Sequence, residues 1–104
     1  MAKFIFGYHG RAITDASAEL DPSTMAAWGT WFRGIGPALV DVGQPAAPSR
    51  IVDADGKVGP PNGAGPTGYS IVEAPTLEQA MALARGCPVF GGGGSIEVAE
   101  LVTM

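Results

Sequence analysis

Residues Lys3–Tyr8 read KFIFGY, and their side chains alternate: Phe4, Phe6 and Tyr8 fall on one side, Ile5 and Gly7 on the other. The pattern predicts a strand ended by His9 and Gly10. Arg11–Leu20 is polar and small, without periodicity, and reads as a loop. Asp21 suits an N-cap and Pro22 the first helical position. From there Met25, Trp28, Trp31, Phe32 and Ile35 recur at helical spacing, and Gly34, Gly36 and Pro37 end the helix. Ala38–Val42 is a short second strand. Gly43–Pro48 bends the chain, Ser49–Asp53 is a third strand, and Asp53-Ala54-Asp55-Gly56 is a turn. Lys57–Thr67, rich in Gly and Pro, reads as a surface loop. Gly68–Ala74 is a fourth strand, stopped by Pro75. Thr76 caps a second helix, with Gln79 three residues on to close a capping box. Leu77, Ala80, Met81 and Ala84 share one helical face. Gly86 fits the left-handed position after the helix, and Pro88 blocks a restart. Gly91–Gly94 turn the chain into a last strand, Ser95–Val102.

The order is β-α-β-β-(β-α-β), an α+β chain with no internal repeat or linker, read as a single domain over residues 1–104. Two helices cover one face of such a sheet. Yet both faces carry apolar groups: Phe4, Phe6 and Tyr8 against Ile5 on the first strand, Tyr69 and Ile71 against Val72 and Ala74 on the fourth, Ile96, Val98 and Val102 against Ala99 and Leu101 on the fifth. The simplest cover is a second copy, so a sheet-to-sheet homodimer is expected.

Composition narrows the partners. A net charge of −4 with 15% charged residues and no basic cluster argues against nucleic acid. No apolar run reaches the length of a membrane span, and the start of the chain does not read as a signal peptide. Cys87 is the one cysteine, so there is no internal disulfide, which fits a cytoplasmic protein. One His and one Cys are too few for a zinc site, and no metal or other cofactor is expected. The glycine run lacks a lysine and precedes a strand, so it reads as a turn and not a phosphate cradle. Cys87 reads as a small buried hydrophobe.

Candidate chemistry centres on His9, the one histidine, because histidine as a residue type titrates near neutrality. Asp41, on the second strand, or Asp15, in the loop, could orient the ring. Trp28, Trp31 and Phe32 could line an aromatic pocket or simply be core. Asp41 could be a pocket acid or an exposed edge residue, and His9 a strand-end residue that hydrogen-bonds a loop.

The succession GYSIVEA, LEQAMALARGCP and GGGGSIEV, with an aromatic first strand ending in Tyr8-His9-Gly10 and a Trp-bearing helix, resembles the YCII-related (DGPF-like) domain family over nearly the whole chain. The resemblance implies a ferredoxin-like α+β fold and a dimeric α/β barrel with a pocket between sheet and helix. It also implies a His/Asp acid–base pair in lyase-like or unassigned reactions. The chain reads GPPNGAGPT where the family has its DGPF tetrapeptide, and Met25–Phe32 holds no histidine.

Two functions follow. One is a small-molecule enzyme, lyase or isomerase, with His9 and Asp41 catalytic and Tyr8, Trp28 and Trp31 binding a small organic ligand. Its pocket would have Tyr8 and His9 as one wall and Trp28 or Trp31 as the other. The alternative is a non-catalytic ligand-binding or dimerisation module. Chemistry like that of the cofactor-free oxygenases of related barrels is a third, weaker reading.

Overall fold

Strand β1 (Ala2–His9) lies in the middle of the molecule and takes both of its partners from the far end of the chain. The structure, a computed structural model, describes residues 1–10, 22–61 and 66–103. Among these, β1 is followed by helix α1 (Pro22–Ile35) and strands β2 (Leu39–Asp41), β3 (Ile51–Val52), β4 (Val58–Gly59) and β5 (Pro66–Ala74). Helix α2 (Leu77–Leu83) and strand β6 (Ser95–Leu101) complete the order. The main sheet is antiparallel throughout, in the order β2-β5-β1-β6. The fold is therefore mixed α+β, as the patterning predicts.

Alternation along β1 decides the layers. Phe4, Phe6 and Tyr8 are buried and Ile5, Gly7 and His9 are not. Cross-strand pairing extends the buried face to Val72, Ser70 and Ala74 on β5 and to Ile96 and Val98 on β6. Trp31 and Ile35 of α1, and Ala80 of α2 with Ala84 and Cys87 beyond it, pack against that face. No described element covers the other face. It presents Tyr69, Ile71, Ile5, Ala99 and Leu101 at its centre, with Lys3 and Glu73 at one end and His9 and Glu97 at the other.

Local chemistry accounts for the helix ends. The Thr76 hydroxyl accepts from the Gln79 amide at 3.2 Å, and Gly86 is left-handed at φ 81°. Pro22 opens α1; the cap read at Asp21 and the loop with Asp15 lie outside the described residues.

Three expectations are corrected. The third strand does not join the main sheet: it shortens to Ile51–Val52 and pairs with β4, inside the stretch read as a loop. Strand β5 begins two residues before Gly68, at Pro66. On α2 the inner stripe is Ala80, Leu83, Ala84 and Cys87, while Leu77 and Met81 face outward. Alanines let the helix axis sit close to the sheet, and that closeness turns the longer side chains out.

Candidate functional site

Tyr8 and His9 are neighbours in sequence and opposites in space. Successive strand side chains point to opposite faces. Tyr8 therefore enters the core, and His9 stays on the open face.

On the inner side the aromatic residues close on one another. The Tyr8 ring meets Trp28 edge-on at a centroid distance of 5.1 Å and Trp31 at 6.2 Å. Trp28 and Trp31 meet at 5.7 Å, and each also contacts Phe32. Such spacings leave no slot for a planar ligand between the rings. The Tyr8 hydroxyl donates to Ser70 Oγ at 2.7 Å, and Ser70 donates on to the Val42 carbonyl at 2.7 Å. Burial pushes the Tyr8 phenol above its ordinary pKa. Trp31 Nε1 donates to the Arg85 carbonyl at 3.2 Å, which ties α1 to the end of α2. Tyr8, Trp28 and Trp31 are thus brought together as expected, but as a packed and hydrogen-bonded core.

On the open side His9 Nε2 lies 3.1 Å from Glu97 Oε1. Glu97 stands on β6 directly opposite Gly7, two residues before His9, so the pair is diagonal across adjacent strands. Gly7 leaves room for it: a Cβ there would sit 4.0 Å from His9 Nε2. Tyr69, 39% exposed, flanks Gly7 from β5. Gly7 thus lies between Tyr69 on one side and Glu97 on the other, with His9 Nε2 reaching back toward it. The His9 side chain is 35% exposed and that of Glu97 77%. Behind His9 the chain is fixed by Gly94, where any Cβ would collide with the His9 carbonyl oxygen and Val89.

Asp41 does not reach this place. Strand β5 separates β2 from β1, and Asp41 pairs with Ile71, itself opposite Ile5. Two strand spacings across and four residues along put the two backbones on the order of 16 Å apart. Asp41 instead accepts from the Gly43 amide at 2.8 Å. That bond shapes the bend where Gly43, at φ 75°, crosses the Tyr69 carbonyl so closely that a Cβ would overlap it. The carboxylate that holds His9 is Glu97, 88 residues away in sequence. The alternation of the last strand and the pairing of the two terminal strands could have pointed to it.

Cys87 is buried, and burial raises its thiol to about 11. It is thus a protonated core side chain, not a nucleophile. Among the described residues no cluster of His, Cys, Asp and Glu could hold a metal ion, and no helix is long and apolar enough to cross a membrane. An open groove of about 490 Å³ lies at the opposite end of the sheet, between Met1–Lys3 and Glu100–Thr103. Lys3 and Glu100 are its charged side chains. No family model, curated protein or solved structure matches the chain.

Proposed function

We propose that the working surface of this protein is the open sheet face, where His9 and Glu97 exchange a proton with a small organic ligand lying over Gly7. The observation that carries this is the 3.1 Å contact of His9 with Glu97 above a glycine floor. A carboxylate beside an imidazole orients the ring, and the pair can take a proton from an acidic C–H and return it elsewhere. That is lyase or isomerase chemistry, and it needs no cofactor.

The resemblance to YCII-related domains supports the same class, with Glu97 in the place expected of the aspartate. With the β3–β4 hairpin set aside, we read the order β2-β5-β1-β6 as the ferredoxin-like arrangement. We also read the apolar open face as the surface on which a second copy packs, giving a sheet-to-sheet dimer that shields the His9–Glu97 pair from water. The buried lone cysteine suits a reducing, cytoplasmic setting.

The decisive experiment has two steps. Small organic acids and carbonyl compounds are screened by NMR for shifts at the Gly7 amide and the His9 ring. Ligands that bind are then incubated in heavy water. Exchange of a ligand C–H for deuterium by the wild type, lost in both His9→Ala and Glu97→Gln, is the expected result. Binding at Gly7 without any exchange favours a non-catalytic ligand-binding or dimerisation module. The large exposure of Glu97 and the filled aromatic core speak for that second reading.

A further inference from the structure

We propose that the β3–β4 hairpin is an arm that embraces a second copy of this chain. The inference rests on the sheet-to-sheet dimer read above and assigns a job to a segment that, among the described residues, joins no other strand.

The hairpin leaves the main sheet at its edge strand β2 and pairs only with itself, Ile51 with Gly59 and Val52 with Val58. Its turn is nonetheless fully specified. The Asp53 amide donates to the Lys57 carbonyl at 2.8 Å, the Gly56 amide to the Asp53 carbonyl at 2.9 Å, and the Lys57 amide to Asp55 Oδ1 at 3.1 Å. Gly56 takes the left-handed conformation at φ 83°. An isolated two-stranded hairpin is marginal in water, and it needs an apolar face laid on something to persist. The apolar face here is the cross-strand pair Val52 and Val58, 67% and 63% exposed. At the base of the arm, Ser49 Oγ is cut off from water without a hydrogen-bond partner, a group that a shift on docking would satisfy.

Size points the same way. The radius of gyration is 14.6 Å, whereas about 13 Å is usual for a chain of this length. The molecule measures 40 × 40 × 19 Å, flat and spread. Four strands, three of them long, offer an open face of about 450 Å² in plan, and the exposed Val52 and Val58 add apolar surface beyond it. In a two-fold dimer both arms act at once, since each subunit uses the same patches. A second copy is the occupant that the observations favour, because it brings an uncovered apolar face matching the one it meets.

The test is a dilution series by sedimentation on the wild type, on Ile71→Asp in the sheet face, and on the double variant Val52→Asp/Val58→Asp in the arm. Val52→Thr/Val58→Thr, which keeps strand propensity, is the milder arm variant if the double aspartate disturbs folding by far-UV circular dichroism. The proposal expects a wild-type dimer, a monomeric Ile71→Asp, and an arm variant whose dissociation constant rises at least ~10-fold with the fold unchanged. Val58 and Lys57 amides should exchange slowly in the wild-type dimer and fast once it is diluted to monomer. An arm variant within about twofold of the wild type, with Ile71→Asp monomeric, overturns the arm and leaves the dimer standing. A wild type that stays monomeric at millimolar concentration overturns both.

Discussion

The two faces of the sheet are built from the same strands and do opposite things. The inner face spends alternate residues of β1 on large rings, Phe4, Phe6 and Tyr8, and closes them under two helices. Even its polar atoms are chained, from Tyr8 through Ser70 to the Val42 carbonyl. The outer face spends the intervening residues on Ile5, Gly7 and His9, and leaves them to whatever comes from outside. The packed core thus lies on one face and the His9–Glu97 pair on the other, one residue apart along the chain.

The sharpest way to break that contrast is to truncate matched positions. Phe6→Ala, at a fully buried ring, should lower stability by about 3–5 kcal/mol. Ile71→Ala on the open face should cost clearly less in dilute solution, with the gap narrowing as concentration rises if the proposed dimer forms. Urea midpoints at two protein concentrations give both numbers. Equal, concentration-independent losses would mean that the open face is as filled as the inner one.

Gly43→Ala comes next, at about 2–3 kcal/mol, because a Cβ there strikes the Tyr69 carbonyl and the backbone must also leave its positive φ. Tyr8→Phe removes the first link of the buried chain, while Ser70 keeps its bond to Val42. It should cost about 1 kcal/mol, measurable by thermal unfolding.

Alkaline pH probes the inner face differently. With the folded Cys87 thiol raised to about 11, the folded state keeps its proton while the unfolded thiol has lost its own. The folded state then binds more protons, so stability falls as pH rises from the ordinary thiol range toward 11. Tyr8, raised in the same way, steepens the fall. Cys87→Ala should flatten part of that slope in a series of melting temperatures. The smallest effect belongs to the outer face: His9→Ala and Glu97→Gln should each shift folding stability by less than about 0.5 kcal/mol while removing proton exchange. A large loss of stability from either would make the pair structural.

Much of this was legible in the residues. KFIFGY announced β1 and which of its side chains share a face. Thr76 and Gly86 announced both ends of α2, and the aspartate-glycine turn was legible down to Gly56. What failed depended on long-range pairing. Asp41 looked like a partner for His9 only while β2 was taken to lie beside β1; β5 intervenes, and Asp41 is consumed by the Gly43 bend. Glu97 was passed over because nothing local joins residues at opposite ends of the chain. The pocket walled by both Tyr8 and His9 was a different kind of error. The alternation used for Phe4 and Ile5 already sends those two side chains to opposite faces. The α2 stripe failed because spacing counts apolar positions without asking which are small enough to lie against a sheet.

One feature of β1 reaches into the history of each molecule. Among the described elements β1 is made before the others, yet both strands that flank it, β5 and β6, come late in the order. Until then both hydrogen-bonding edges of the strand stay open. A topology so dominated by distant contacts folds slowly, since the closure entropy of nearly the whole chain comes before any return from pairing. During that interval the newborn chain carries a hydrophobic strand with two free edges, the form most prone to stick to a sibling. The arrival of Ser95–Leu101 ends the exposure, and the same event carries Glu97 to His9. A chain can therefore bring His9 and Glu97 together only at the moment it stops being an aggregation hazard.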